Sequence, residues 1–164
     1  MPSMPKVGVG FDSHRFVRGR KLFLGGIEIP YEMGLDGHSD ADVLLHAICD
    51  AFLGALGKGD IGEHFPDSDE TYRDMASIKF LERVNALAKK EGYVVNNIDA
   101  VVIAEAPNLR PFKVQMRSFI AESLGIDESV VNIKATTNEG MGFIGRKEGI
   151  AAYATLSITR KDKK

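Results

Sequence analysis

Apolar and polar positions alternate with period two from Pro5 to His14. Val7, Val9 and Phe11 fall on one side, and Gly8, Gly10, Asp12 and His14 on the other, as a strand requires. The two glycines leave their face bare, which permits close approach of another backbone or of a ligand. A hairpin is expected next, Lys21 to Leu24 and Ile27 to Pro30 about the turn Gly25-Gly26, followed by a mobile, glycine-punctuated loop from Tyr31 to Gly37. The period then changes. Leu44, Ile48, Phe52 and Ala55 recur at helical spacing, predicting a helix that opens at His38-Ser39-Asp40, where Ser or Asp caps the first turn.

After this helix, Gly57 to Gly62 and Phe65 to Asp69 form a loop whose backbone N–H groups can face an anion and whose aspartates can bind a polyol. Phe80, Leu81, Val84, Leu87 and Ala88 mark a second helix over Ser77 to Glu91, stopped by Gly92. Tyr93 to Ala106 reads as a strand, and its apolar run Ala100 to Ala104 suggests burial on both faces. A third helix runs from Pro111 to Leu124 before Gly125, and strands are expected over Val130 to Thr137 and Ile150 to Thr159. This order implies a single α+β domain over residues 1–164, with a mixed sheet and helices layered on one side. Residues 1–4 form a short extension and 160–164 a basic tail.

The chain's 164 residues can bury a core without disulfides. Cys49 is the sole cysteine, which excludes an intrachain disulfide and a cysteine-based zinc site and suggests a reducing, cytoplasmic setting. With 21 basic against 23 acidic residues there is no broad cationic field for nucleic acid, and no apolar run of membrane-spanning length occurs.

The helix from His38 also carries an unusual polar stripe, Asp42, His46 and Asp50 at i, i+4, i+8. The two aspartates can accept the second N–H of His46 and fix its tautomer, making His46 a candidate metal ligand. Asp12, His14 and His46 then form a two-imidazole, one-carboxylate set with an open coordination position, suited to Zn²⁺ as a Lewis acid and equally to the Fe(II) of a non-haem oxygenase. Glu139, on the glycine-rich run Asn138 to Arg146, supplies a hard oxygen for Mg²⁺ or Mn²⁺. Thr136, Thr137 and Ser39 can donate hydroxyl hydrogen bonds to phosphate, which favours phosphoryl over dioxygen chemistry. A non-catalytic nucleotide or isoprenoid-diphosphate binder is the other class these residues allow.

Several stretches in one order carry a resemblance: FDSH (11–14), HSDADVLLHA (38–47), GDIG (59–62) with FPDSD (65–69), IAEAP (103–107) and KATTNEGMGFIGR (134–146). From about Pro5 to Ile158 the chain resembles the 2-C-methyl-D-erythritol 2,4-cyclodiphosphate synthase family of the methylerythritol phosphate route to isoprenoids. The resemblance implies a phosphorus-oxygen lyase. The 2-phosphate of 4-diphosphocytidyl-2-C-methyl-D-erythritol 2-phosphate attacks the β-phosphorus of its own CDP group, closing the cyclodiphosphate and expelling CMP.

It further implies that Asp12, His14 and His46 bind Zn²⁺ and that Glu139 helps hold Mg²⁺ or Mn²⁺ between the α- and β-phosphates. His38 and Thr137 match catalytic positions, and Ser39 a phosphate contact. Asp60, Ile61 and Gly62 with Phe65, Pro66, Asp67, Ser68 and Asp69 match the methylerythritol segment. Ala104, Glu105, Ala106, Pro107, Asn108, Leu109 and Arg110, with Thr136, match the cytidine pocket. The implied assembly is a homotrimer with active sites between subunits, in which Phe143 and Arg146 match residues lining an axial cavity for an isoprenoid diphosphate. Asn138 and Asn108 depart from the hydroxyl residue and the lysine common in the family, which lowers the charge beside the nucleotide. His64 matches no site position.

Overall fold

The computed structural model describes residues 4–161, so most of the expected N-terminal extension and basic tail lies outside the described residues. Its centre is a five-stranded mixed sheet in the order β4-β1-β7-β5-β6. The strands are β1 (Lys6–Arg18), β4 (Met33–Leu35), β5 (Tyr93–Ile103), β6 (Val131–Thr136) and β7 (Gly149–Arg160), with β2 (Leu22–Leu24) and β3 (Ile27–Ile29) as a separate hairpin. Among the described residues only the β5–β6 pair is parallel. The long helices α1 (Val43–Leu56), α3 (Ser77–Lys90) and α4 (Lys113–Leu124) pack against β1 and β7, β5, and β6 respectively, giving an α+β domain. The short helices α2 (Ile61–His64) and α5 (Gly142–Gly145) complete the set.

Helix α1 is buried at every position except His46, Asp50 and Gly54. It lies on the bare face of β1, as the glycine pattern allowed: a Cβ on Gly8 would fall 1.8 Å from the Ala51 carbonyl oxygen, and one on Gly10 1.9 Å from that of Ala47. The close visitor is thus a helix backbone.

Three expectations are corrected. The helix begins at Val43, not at His38, and its N-cap is Asp42, whose carboxylate accepts from Leu45 N at 3.0 Å. That fully buried carboxylate also accepts from the turn amides of Gly25 (3.0 Å) and Gly26 (2.7 Å), tying the hairpin to the helix start. The expected mobile loop contains β4, which pairs antiparallel with the end of β1, because the chain leaving the hairpin passes the unfilled edge of that strand. The run Ala100 to Ala104 is not buried on both faces of this chain: Ala100, Val102 and Ala104 face the helices, whereas Val101 and Ile103 are half-exposed. The face of the sheet away from the helices stays open, with Val7 (68% exposed), Val9 (67%), Phe11 (47%) and Tyr153 (51%) side by side upon it.

Candidate active site

Strand β1 is held to α1 by its glycines, and this contact carries Asp12 and His14, farther along the strand, to His46 on the helix. Asp12 Oδ2 lies 2.8 Å from His14 Nε2 and 3.0 Å from His46 Nδ1, and the two ring nitrogens lie 3.4 Å apart. Ligands about 2.0–2.1 Å from a tetrahedral centre stand roughly 3.3 Å from one another, so these three atoms fit a single dication. His14 Nδ1 donates to the Asp36 carbonyl at 2.6 Å, and since a carbonyl only accepts, Nε2 is left free to face the site.

Burial alone would raise the Asp12 carboxyl, but hydrogen bonds and charge from His14 and His46 outweigh it and hold it at about 2. Burial would depress His14, yet the Asp12 carboxylate and the Asp36 carbonyl raise it.

The aspartates of the polar stripe do not flank His46. Asp42 is committed to the hairpin and helix cap, and Asp50 Oδ1 accepts from Ile61 N at 2.7 Å, holding α2 near the cleft. Instead His46 Nε2 lies 2.8 Å from Ser77 Oγ and 3.2 Å from Ser39 Oγ. Residues 38–42 precede the helix as a bent, hydrogen-bonded segment, with bends at His38 and Ser39 and Ala41 at φ 56°, and this turn brings Ser39 back toward His46.

The three ligand atoms open into a cleft of about 240 Å³ that also includes His38, Ser39, Ile61, Gly62, Phe65 and Asp67 among its lining. His38 Nε2 donates to the Asp69 carbonyl at 3.1 Å. Asp60 and Asp69 do not line it; their carboxylates cap α2 and the turn at Glu70–Tyr72. Pro66 and Ser68 also lie outside the lining. Tyr72 and Phe80, which sequence reasoning missed, form its wall: Phe80 stacks on Phe65 at 4.6 Å and Tyr72 meets Phe65 edge-on at 5.5 Å. Only Phe80's place in the core stripe of α3 signalled it.

Ala104, Glu105, Pro107, Asn108, Leu109, Arg110, Thr136 and Thr137 come together in a second pocket of about 460 Å³, which shares no residue with the first. Glu105 Oε1 accepts from Asn138 N (2.7 Å) and Gly140 N (3.1 Å), which holds the exposed Glu139 at φ 52° beside this pocket's threonines. Ala106 lies outside the pocket lining. Within one chain, therefore, Glu139 and Thr137 are not brought to the Asp12–His14–His46 cluster. Phe143 lines a third, open groove of about 840 Å³ with Arg15, Met33 and Lys147, whereas Arg146 is paired with Glu148 at 3.2 Å. His64 donates to the Lys58 carbonyl at 2.7 Å, clear of all three.

Fold and site together define a small α+β protein with a two-histidine, one-carboxylate cluster in a cleft, able to hold a cation. The chain belongs to the YgbB family, whose model matches residues 5–159. It is 58% identical to the 2-C-methyl-D-erythritol 2,4-cyclodiphosphate synthase of Alkaliphilus metalliredigens over 93% of this chain and 96% of that one. It superposes on the bifunctional IspDF of Campylobacter jejuni with a TM-score of 0.94 at 44% identity, covering 98% of this chain and 43% of that longer one. A CDP complex of IspF from Plasmodium falciparum matches with a TM-score of 0.84 at 34% identity over 96% of this chain and 97% of that one.

Proposed function

We propose that this chain converts 4-diphosphocytidyl-2-C-methyl-D-erythritol 2-phosphate to 2-C-methyl-D-erythritol 2,4-cyclodiphosphate and CMP, on the methylerythritol phosphate route to isoprenoids. The single observation that carries this reading is the convergence of Asp12 Oδ2, His14 Nε2 and His46 Nδ1 within 3.4 Å at the base of a cleft. Family membership decides for phosphoryl chemistry over the dioxygen chemistry that the same ligand count allows. The attacking group is the substrate's own 2-phosphate, so the chain's task is to fold an anionic molecule and set two phosphates in line.

Asp12, His14 and His46 would hold Zn²⁺, which when bound supplies positive charge to neutralise and polarise a phosphate oxygen. In our reading His38 and Ser39 position the phosphates at the cleft mouth, and Ile61, Gly62, Phe65 and Asp67 seat the methylerythritol. Asp60, Pro66, Ser68 and Asp69 shape that segment from outside the lining. The pocket of Glu105, Asn108, Leu109, Arg110 and Thr136, flanked by Ala104, Ala106 and Pro107, takes the cytidine. Thr137 and Glu139 serve the diphosphate, Glu139 with Mg²⁺ or Mn²⁺.

Because these two pockets are separate in one chain, a complete site needs a neighbour's Glu139 and Thr137 beside this chain's Asp12. The open apolar sheet face, where Phe11 and Tyr153 rings stand 4.7 Å apart, supports burial in a homotrimer. Phe143, with Arg146, would then border an axial cavity able to take an isoprenoid diphosphate. Among the described residues no helix is long and apolar enough to cross a membrane. The single cysteine, Cys49, is buried and fits a reducing compartment, and we read the chain as a single-domain cytoplasmic enzyme.

Incubation with the authentic substrate tests the reading: release of CMP with matching cyclodiphosphate is expected, and its loss in Asp12→Ala and His46→Ala. CMP release without the cyclic product, or undiminished rates in both variants, would overturn it.

A further inference from the structure

The environment of His46 on its far side is more ordered than a metal ligand alone requires. Ser77, the first residue of α3, is fully buried, and its hydroxyl lies between His46 Nε2 (2.8 Å) and the Asp40 carboxylate. Asp40 Oδ1 receives the Ser77 hydroxyl and Asp42 N (3.1 Å), and Asp40 Oδ2 receives Ser77 N (3.0 Å). A carboxylate only accepts, so the single proton of the Ser77 hydroxyl is committed to Asp40. What remains at Ser77 Oγ is lone-pair density, and the contact from His46 Nε2 must be a donated N–H. Nδ1 is then the nitrogen left bare, and it is the atom that faces Asp12 and His14. Ser39 Oγ, at 3.2 Å from Nε2 and itself accepting from Ala41 N, is the longer alternative.

We propose that Asp40 and Ser77 are positioning residues that act through His46: a carboxylate–hydroxyl–imidazole relay that fixes the ring's orientation and holds Nδ1 ready for the cation. This rests on the reading that Asp12, His14 and His46 hold a dication. The relay joins two elements distant in sequence, the segment before α1 and the start of α3, and Asp40 N donates to the Met75 carbonyl at 3.2 Å to lock them. Partners behind a metal-bound histidine are worth about 10–100-fold in metal affinity.

The test is zinc affinity of the full chain by competition with a chromophoric chelator, together with the exchange rate of the His46 Nε2–H in ¹⁵N-histidine-labelled, zinc-loaded protein. Ser77→Ala is expected to weaken zinc about 10–100-fold and to speed exchange of that proton, and Ser77→Thr, which keeps the hydroxyl, to restore both. Asp40→Asn, whose amide can donate to Ser77 and free its hydroxyl to donate to His46, should weaken zinc comparably while retaining packing volume. Folded Ser77→Ala and Asp40→Asn proteins that bind zinc as tightly as the unmodified chain, with Nε2–H exchange unchanged, would overturn the relay alone. Unmodified protein that takes up no zinc would overturn the metal reading beneath it.

Discussion

A methyl group placed on Gly10 would stand 1.9 Å from the carbonyl oxygen of Ala47, one residue after the metal-ligand candidate His46. The geometry of the candidate site therefore depends on a position that carries no chemistry. The absence of a side chain lets α1 lie directly on β1, and that contact sets the 3.0 Å between Asp12 and His46. Gly10→Ala should push the helix off the strand, costing ~3 kcal/mol. Denaturant unfolding checks the stability, and zinc uptake in the folded fraction should fall with it. A variant as stable as the unmodified chain would show that the helix can shift without penalty.

Asp42 makes a parallel case. Its carboxylate serves the backbone amides of Leu45, Gly25 and Gly26, all at 3.0 Å or less. Asp42→Ala removes a helix cap and leaves buried donors without partners, so a loss of about 2–4 kcal/mol is expected in urea unfolding. The hairpin should become the first segment to exchange its amide hydrogens.

The ligand cluster predicts a pH dependence for the metal-free chain. Asp12 is held at about 2 against an ordinary 3.8, so its stabilisation is present above pH 3.8 and is lost as pH falls through about 2. His14 is raised above 6.5, so its stabilisation is present below 6.5 and is lost as pH rises through the raised value. A cation must displace that proton, and its affinity should climb about tenfold per pH unit while one proton is released. The thermal shift produced by zinc should accordingly grow between pH 6 and pH 8. A shift that is flat over this range would mean that His14 is not a ligand.

Glu139 stands beside the second pocket, away from the Asp12 cluster. Glu139→Ala should leave the zinc content unchanged while making CMP release far more dependent on added Mg²⁺ or Mn²⁺. Loss of zinc in that variant would assign Glu139 to the wrong metal.

Much of this architecture was legible in the amino-acid sequence because it follows local periodicities. The alternation through Val7, Gly8, Val9 and Gly10 marked β1 and its bare face, and the stripe from Phe80 to Ala88 with Gly92 marked α3. The failures have physical causes. β4 is a three-residue edge strand containing Gly34, too short for any period to register. Asp42 reads as an acceptor for His46 on the polar stripe, yet its partners are hairpin amides that no helical spacing reveals. Ser77 reads only as a helix start, because its contact with His46 spans 31 residues. Asp12 and His14 are legible as a pair because the strand period puts them on one face, and His46 because it breaks an otherwise apolar helix; the motifs FDSH and HSDADVLLHA join the three. That Glu139 and Thr137 sit apart from them in one chain was not visible, since sequence order says nothing about which pocket a loop enters.

Whether three side chains share one ion is tested most directly by X-ray data collected on either side of the zinc absorption edge from crystals of protein purified without chelator. One anomalous peak bonded to Asp12 Oδ2, His14 Nε2 and His46 Nδ1 is the predicted result. Full zinc occupancy at any other set of residues, with these three left unligated, would contradict it.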